Sequence, residues 1–291
     1  MELAHFFWHG KPLSIYELAC IRSFVIQGFS VNVWSYDAVA LPAGATAQDA
    51  SEILPRSDLT RYTQNGKPKN IAAFTDFFRF ELLSRYDGWW FDTDVLCLQP
   101  ASAFAIFQQR LVVGYESDDV INGAVLRVND QALSRDLKDR ADAIALAGND
   151  SFSWGAVGPG LITALCKEPG QTHQPVAPGV FYPIGWTEAD VVLDPTRRDE
   201  AVARCSGALC YHIWNEVLNR AAIPKSLMPP NGSYLYEQFI AVDPALAQME
   251  TLPYETFDAL FSRIKPQEDP GFVFYVRQLW PSLVRAVRKR L

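Results

Sequence analysis

Residues 3–36 read LAHFFWHGKPLSIYELACIRSFVIQGFSVNVWSY, and this opening stretch decides the fold class. Residues 3–8 form an apolar and aromatic run, which predicts a buried strand. Residues 14–27 follow a helical pattern that Gly28 ends. A second strand is predicted over residues 31–36. The three elements form a βαβ unit, so we expect a pair of parallel strands at the centre of an α/β fold.

The rest of the chain continues this α/β alternation. Residues 70–85, NIAAFTDFFRFELLSR, give the strongest helical pattern, with Asn70 as a cap and apolar residues on most faces, which predicts a buried helix. Residues 42–69 carry many helix breakers and are expected to form a surface excursion near the ligand-binding edge of the sheet. Residues 168–200 are expected to form loops and short strands. The other predicted strands are residues 89–91, 111–115, 121–128 and 209–214, and the other predicted helices are residues 131–146 and 159–167.

The composition limits the classes of function. The chain has 291 residues, of which 49% are hydrophobic and 20% charged, and this fits one elaborated folded domain. Its net charge of −7 argues against nucleic-acid binding, which usually needs a basic surface. The five cysteines form no CxxC pair, which fits reduced thiols better than a disulfide framework or a zinc site. The first residues lack the pattern of an export signal, so we expect a cytoplasmic protein.

The segment that carries chemistry is residues 85–100, RYDGWWFDTDVLCLQP. Asp92 and Asp94 alternate in what is expected to be extended backbone at a strand end, so both carboxylates point the same way. Two converging carboxylates form a hard oxygen site suited to Mn²⁺ or Mg²⁺, and substrate phosphates usually complete the shell of such ions. The apolar flanks make an unpaired charge costly, and a cation is the simplest compensation.

A second charged pair lies in the helix predicted over residues 70–85. Asp76 and Arg79 are neighbours at i, i+3 spacing on an apolar face of that helix. A buried charged pair is costly unless its hydrogen bonds are used. The residues alone leave two interpretations open, a satisfied internal ion pair and a ligand-binding pair.

Residues 75–98, TDFFRFELLSRYDGWWFDTDVLCL, resemble the sugar-binding region with a DXD motif of capsular-polysaccharide glycosyltransferases, yeast mannosyltransferases and large glucosylating toxins. In that family an S-D-x-x-R helix, a Tyr-Gly-Gly turn and an aromatic-x-D-x-D strand follow in order. Here Thr75 replaces the Ser, Asp87-Gly88 replaces the Gly pair, and Trp90 replaces the usual Tyr. The resemblance implies that Trp90 is one of the substrate-binding residues. The resemblance implies a GT-A type fold, a Rossmann-like mixed sheet flanked by helices, with helical and loop additions towards the C-terminus.

The resemblance also implies roles for the residues that carry it. Trp8, in the segment HFFWHG, would stack on the uracil of a nucleotide-sugar donor. Asp76 and Arg79 would hold the sugar of the donor and its neighbouring phosphate region. Asp92 would contact ribose and sugar beside the metal, and Asp94 would ligate the metal directly.

Three later motifs resemble the same family. The strand INGAVLRV is similar to the Asn-containing strand of the family and would place Asn122 beside the transferred sugar. The GPG segment resembles the family's helix start near the acceptor, which implies binding roles for Gly158 and Pro159. The YHIW segment is similar to the closing His and Trp cluster, in which His212 would bind metal and Trp214 would cover the diphosphate. A lone His on a strand is more often a core residue, so both interpretations of His212 stay open.

The function that this resemblance implies is a metal-dependent, retaining hexosyltransferase. It would move a sugar from a UDP-sugar to a saccharide or lipid-linked acceptor in polysaccharide biosynthesis, with Mn²⁺ or Mg²⁺ as cofactor. The catalytic residues implied are Arg79, Asp92, Asp94 and Asn122. Two alternatives stay open, a glycoside hydrolase that uses the Asp pair as acid and base, and a non-catalytic nucleotide-sugar-binding protein.

The chain is expected to divide into a GT-A core over residues 1–215 and a mostly helical extension over residues 216–291 packed on that core. The last segment, VRQLWPSLVRAVRKRL, is amphipathic and basic in an acidic protein. Such a segment fits a helix that contacts the inner membrane surface, where a lipid-linked acceptor would lie. A solvated helix end is the simpler interpretation.

Overall fold

The computed structural model of the protein describes residues 2–170 and 173–264. The strands are β1 (Leu3–Trp8), β2 (Ser30–Ser35), β3 (Ala45–Asp49), β4 (Thr63–Gln64), β5 (Trp89–Phe91), β6 (Val95–Cys97), β7 (Leu111–Tyr115), β8 (Ile121–Val128), β9 (Ser151–Phe152) and β10 (Cys210–His212). The helices are α1 (Ile15–Ile26), α2 (Ile71–Arg85), α3 (Gln131–Ala147), α4 (Pro159–Cys166), α5 (Pro178–Phe181), α6 (Arg198–Cys205), α7 (Asn215–Arg220), α8 (Tyr234–Val242) and α9 (Tyr254–Ser262). Within these two ranges, the helices lack the combination of length and apolar character that crossing a bilayer requires.

The central sheet has six strands in the order β3-β2-β1-β5-β8-β7. The first four run parallel, and β8 runs antiparallel to both of its neighbours. This arrangement confirms the predicted α/β class with a mixed sheet. The ends of β1, β2, β5 and β7 and the start of β8 therefore lie along one edge, called here the C-terminal edge. Open α/β sheets bind their ligands at this edge.

Helices cover both faces of the sheet because the side chains of β1 alternate between them. Phe6 packs against Phe24 of α1 with ring centroids 5.1 Å apart. Phe7 points to the other face and packs against Phe78 of α2 at 4.5 Å. The period of two along the strand thus separates two apolar clusters, one on each face. The result is a three-layer α/β/α arrangement that leaves the C-terminal edge free for chemistry.

The strongest sequence predictions are confirmed, including the residues at which the two predicted helices begin. Helix α1 begins after Ser14, whose side chain accepts from the Tyr16 N–H, and α2 begins after Asn70, whose Oδ1 accepts from the Ala73 N–H at 2.9 Å. Strands β5, β7 and β8 have the predicted bounds. Ile71, at the start of α2, departs from the predicted buried helix because its side chain is exposed.

Two loop predictions also need correction. Residues 42–69 contain β3, which pairs in parallel with β2 and extends the sheet. Its sequence, ATAQD, lacks the apolar alternation of an inner strand because it lies at the exposed sheet edge. Residues 168–200, expected to include short strands, form α5, the start of α6 and helical turns in their described part, because Pro178 and Pro195 start helical turns.

The C-terminal part of the described chain packs onto α1. Tyr16 of α1 meets Phe239 of α8 edge to face, with ring centroids 5.2 Å apart. Arg22 of the same helix donates a hydrogen bond to the Val242 carbonyl at 3.2 Å. The division of the chain at residue 215 stays a prediction. The basic segment at 276–291 lies outside the described residues.

Candidate metal centre

Asp92 and Asp94 lie in a turn rather than in extended backbone. Strand β5 ends at Phe91, and the Val95 N–H donates to the Asp92 carbonyl at 3.0 Å. The prediction of an extended strand is therefore wrong, because the chain must turn here to leave the six-stranded sheet and enter β6. The predicted convergence is present nonetheless, and it includes a third residue. One ligand atom each from Asp92, Asp94 and His212 lie within 4.8 Å of one another. These three residues form the candidate metal centre.

His212 reaches this centre through the pairing of β10 with β6. His212 is opposite Val95 in the antiparallel register, next to Asp94 in the chain. Its Nε2 lies 3.1 Å from Asp94 Oδ2, while its Nδ1 is buried without a hydrogen-bond partner among the described residues. Burial alone would lower the pKa of His212, but the charge of Asp94, the hydrogen bond to it and the charges of Asp92 and Glu116 together outweigh burial, and the pKa is raised. Burial would likewise raise the pKa of Asp94, but His212 holds it below its usual value.

The donor set fits a divalent ion. Two carboxylates and one imidazole are ligands that Mn²⁺ and similar ions accept. Neighbouring ligands about 2.1 Å from an octahedral ion lie about 3 Å apart. The separation of 3.1 Å between His212 Nε2 and Asp94 Oδ2 matches that spacing. Three protein ligands leave room in the shell for oxygen atoms of a substrate.

Arg79 joins this centre to Asp76. Its terminal nitrogen lies 3.3 Å from Asp76 Oδ1 and 3.3 Å from Asp92 Oδ1. Arg79 and Asp76 are both buried, and the guanidinium lies over the Trp90 ring at 5.3 Å. Burial raises the pKa of Asp76 to about 6, against the opposing charge of Arg79. The ion pair exists, but Arg79 Nε is buried without a partner in the described chain. The pair is therefore not fully satisfied internally, which favours a ligand-binding role.

Two glycines let the main chain approach this charged pair closely. A Cβ atom on Gly158 would lie 2.4 Å from Asp76 Oδ1, and a Cβ on Gly123 would lie 2.6 Å from an Arg79 terminal nitrogen. Pro159 follows as the first residue of α4. The structure thus brings Gly158 and Pro159 beside Asp76. Glycine is required at 158 because any side chain there would collide with the carboxylate.

The carboxylates of the candidate metal centre already have protein partners. The Trp90 indole N–H donates to Asp92 Oδ1 at 2.7 Å, and the Asn215 backbone N–H donates to Asp94 Oδ2 at 2.8 Å. A cation is therefore not the only compensation for these charges, which corrects the sequence argument. Trp90 is 1% exposed, so its contact with the centre runs through Asp92.

Trp8 lies at the end of β1, on the same edge as the candidate metal centre. It lines a cavity of about 200 Å³ together with residues after β1 and β2, among them His9, Lys11 and Asp37. Its indole N–H donates to the Lys11 carbonyl at 2.7 Å, which fixes the ring. Because β1 and β5 are neighbouring parallel strands, Trp8 and the turn that carries Asp92 follow neighbouring strands at the same edge.

Asn122 lies at the start of β8 and is held by two hydrogen bonds. Its Nδ2 donates to Glu116 Oε2 at 2.6 Å, and its Oδ1 accepts from the Ala124 N–H at 2.7 Å. Burial raises the pKa of Glu116, against the hydrogen bond from Asn122. Sequence analysis missed Glu116, which follows β7 among other acidic residues. Its position shortly before the Asn-containing strand was the one feature of the sequence that could have pointed to Glu116.

Trp214 packs against His212 beside the candidate metal centre. It adopts a left-handed backbone conformation with φ of +62°, which is uncommon for a bulky residue. Its ring lies 4.1 Å from the His212 ring, and its indole N–H donates to the Ile184 carbonyl at 2.9 Å. The predicted role of Trp214 over the diphosphate stays a prediction. The backbone N–H of Asn215, the next residue, donates to Asp94. This donor was also missed, because nearly every residue has a backbone N–H and the sequence does not show where it points.

Comparison with known proteins finds sequence similarity to a glycosyltransferase over part of the chain. No protein-family model matches the chain. Over 165 residues the chain is 25% identical to lactosylceramide 4-alpha-galactosyltransferase of Mus musculus, a match that covers 52% of this chain and 43% of that protein. The chain thus spans less than half of the length of this relative. The sequence is similar to that of a glycosyltransferase over about half of the chain.

A solved structure with a related title gives only a weak match. The structure of PaToxG glycosyltransferase aligns with 91% of this chain and 86% of its own, at 13% identity and a TM-score of 0.41. A TM-score this low carries no inference about function.

Proposed function

We propose that the protein is a metal-dependent glycosyltransferase that uses a nucleotide-sugar donor, with a UDP-sugar as the preferred candidate. One observation carries this proposal, the convergence of Asp92, Asp94 and His212 within 4.8 Å at the C-terminal edge. The guanidinium of Arg79, next to Asp92, supplies positive charge that favours a phosphate at this site. The sequence similarity to a mouse galactosyltransferase supports the same class.

Different residues would hold different parts of the donor. Asp92, Asp94 and His212 would hold Mn²⁺ or Mg²⁺, which supplies positive charge to the oxygens of the diphosphate when it is bound. Arg79 is already fixed by Asp76 and Asp92, so its positive charge can stabilise charge on the leaving diphosphate without reorganisation. The Trp8 cavity would receive the nucleobase, and Asn122 lies on the opposite side of the centre for the sugar.

We further propose that transfer proceeds with retention of configuration by front-side attack. The bond between the sugar carbon and the diphosphate oxygen breaks as the acceptor hydroxyl forms its new bond from the same face. The hydroxyl proton passes to the departing phosphate oxygen, so the chain needs no nucleophile of its own. The acceptor, a saccharide or a lipid-linked saccharide, would approach beside Gly158 and Pro159. Contact with a membrane through the basic segment at 276–291 stays a separate hypothesis.

A hydrolase that uses Asp92 and Asp94 as acid and base fits the geometry less well. The ligand oxygens of the two residues lie within 4.8 Å of each other and of the same imidazole. Carboxylates that flank a glycosidic bond lie about 5–5.5 Å or about 6.5–9.5 Å apart, on either side of the sugar. The two acids of this chain therefore serve one shared ligand better than two faces of a ring.

The test is a donor screen on metal-free protein. Protein treated with EDTA is supplied with Mn²⁺ and a panel of UDP- and GDP-sugars, and nucleotide release is followed by NMR. We expect slow hydrolysis of one nucleotide sugar that requires the metal and is faster with a saccharide acceptor. Calorimetric binding of UDP without any turnover would indicate a binding protein. Metal-independent hydrolysis of aryl glycosides would indicate a hydrolase.

A further inference from the structure

The side-chain amide of Asn122 uses half of its hydrogen-bonding capacity inside the protein. Its carbonyl oxygen accepts from the Ala124 N–H at 2.7 Å, and its NH₂ group donates to Glu116 Oε2 at 2.6 Å. Both bonds are short, so the amide orientation is fixed. Asn122 therefore keeps one N–H donor and one acceptor lone pair, in a fixed orientation.

Glu116 has more free acceptor positions than Asn122. A carboxylate offers two oxygens with about four acceptor sites, and Asn122 occupies one of these on Oε2. Within residues 2–170 and 173–264, Oε1 of Glu116 accepts no hydrogen bond. Glu116 is half-buried and its unpartnered Oε1 is accessible, so this oxygen can accept a hydrogen bond from a partner outside the chain.

The place of Glu116 along the C-terminal edge suggests what that partner is. The edge carries, in strand order, the Trp8 cavity after β1, the candidate metal centre after β5, Asn122 at the start of β8 and Glu116 after β7. Neighbouring strands lie about 4.8 Å apart, so these positions span about 14 Å. A nucleotide sugar with its base at Trp8 and its diphosphate at the metal would extend its sugar towards Asn122 and Glu116.

We propose that Glu116 is a sugar-binding residue whose Oε1 accepts a hydrogen bond from a hydroxyl group of the transferred sugar, while Oε2 holds Asn122 in place. This inference rests on the proposed glycosyltransferase function. An acceptor that the bound sugar covers disfavours a ligand that lacks the matching hydroxyl, because the acceptor then loses its water without gaining a partner. Glu116 would therefore help to select the sugar of the donor.

The first experiment needs only the natural protein. The active donor from the screen is compared with its monodeoxy analogues in the presence of Mn²⁺. We expect removal of one particular hydroxyl to lower kcat/KM by about tenfold to a hundredfold, as loss of a hydrogen bond to a charged group does. Equal kcat/KM for the donor and all of its monodeoxy analogues would overturn the proposal.

The second experiment assigns that hydroxyl to Glu116. In Glu116→Gln and in the more conservative Glu116→Asp, turnover of the full donor should fall about tenfold to a hundredfold. The critical deoxy donor should then react at nearly the same rate in the variants and the natural protein. The control is Asp118→Asn, an exposed acid in the same turn, which should behave as the natural protein. Variants that still discriminate against the critical deoxy donor as the natural protein does would overturn the assignment.

Binding of UDP alone separates this inference from the function on which it rests. UDP lacks the transferred sugar that would contact Glu116, so both Glu116 variants should bind UDP and Mn²⁺ with the affinity of the natural protein by calorimetry. A natural protein that binds no UDP with Mn²⁺ would overturn the proposed function itself. Normal UDP binding with unchanged donor turnover in the Glu116 variants would overturn only the role of Glu116.

Discussion

The backbone N–H of Asn215 donates a 2.8 Å hydrogen bond to Asp94 Oδ2, and this bond joins the start of α7 to the candidate metal centre. The side-chain amide of Asn215 donates a second 2.8 Å bond to Glu17 Oε1. Glu17 also accepts from Lys225 Nζ at 2.6 Å and is 1% exposed. Asp94 is thereby held by a network that begins in α1.

Asp94→Asn should remove metal-dependent transfer and leave the fold intact. An asparagine can still accept the hydrogen bond from Asn215, but it lacks the charge that holds a divalent ion. We expect donor turnover to fall about a hundredfold or more, with Mn²⁺ affinity reduced in parallel. Calorimetry with Mn²⁺ and turnover assays measure both effects, and circular dichroism checks the fold. Full activity in this variant would refute the proposed function.

Glu17→Gln should lower stability in a pH-dependent way. Burial alone would raise the pKa of Glu17, but hydrogen bonds from Lys225 and Ser14 outweigh it and the pKa lies below its ordinary value of 4.5. A carboxyl with a lowered pKa stabilises the fold above about pH 4.5 and loses this contribution as the pH falls through its folded-state pKa. Loss of this buried charge should lower the free energy of unfolding by about 3 kcal/mol at pH 7.

Urea unfolding across the pH range measures this effect. The difference in unfolding free energy between the natural protein and Glu17→Gln should be constant near neutral pH and shrink below about pH 4.5. A difference that does not change between pH 7 and pH 3.5 would show that packing, and not the charge of Glu17, causes the loss.

Trp90→Phe should weaken metal binding without removing it. The substitution deletes the N–H that donates to Asp92 Oδ1 at 2.7 Å. Loss of a partner that orients a metal ligand typically costs about tenfold to a hundredfold in affinity. Trp89→Phe is the matched control, because Trp89 is equally buried in the same strand but donates to Glu2. Equal Mn²⁺ affinities for the two variants in calorimetry would contradict the role of the Trp90 N–H.

Gly158→Ala should disturb the Asp76–Arg79 pair. A methyl group at 158 would lie 2.4 Å from the buried Asp76 carboxylate, so either the carboxylate or α4 must shift. Overpacking of this kind typically costs about 1–3 kcal/mol. Melting temperature and donor turnover should both fall. The control is Gly179→Ala, where an added methyl group meets nothing within 4 Å. Unchanged turnover in Gly158→Ala would show that Asp76 does not need its present position.

Local patterns were enough to predict most of the elements. The alternation of Phe6 and Phe7 and the caps at Ser14 and Asn70 depend on neighbours along the chain, so β1, α1 and α2 were recognisable directly. The edge strand β3 was not, because an exposed strand needs no apolar alternation. The turn at Asp92 was missed because an i, i+2 spacing looks the same in a strand and in a tight turn.

By itself the sequence determined the α/β class, the Asp92/Asp94 pair and the Asp76/Arg79 pair, because each is written in residues that lie close together in the chain. Tertiary structure alone decided that His212 meets Asp94, since they come together only when β10 pairs with β6. The same holds for the backbone N–H of Asn215 and Asp94, which are 121 residues apart in the chain. Such contacts form only when segments far apart in the chain come together, and a single sequence carries no local signal for that pairing.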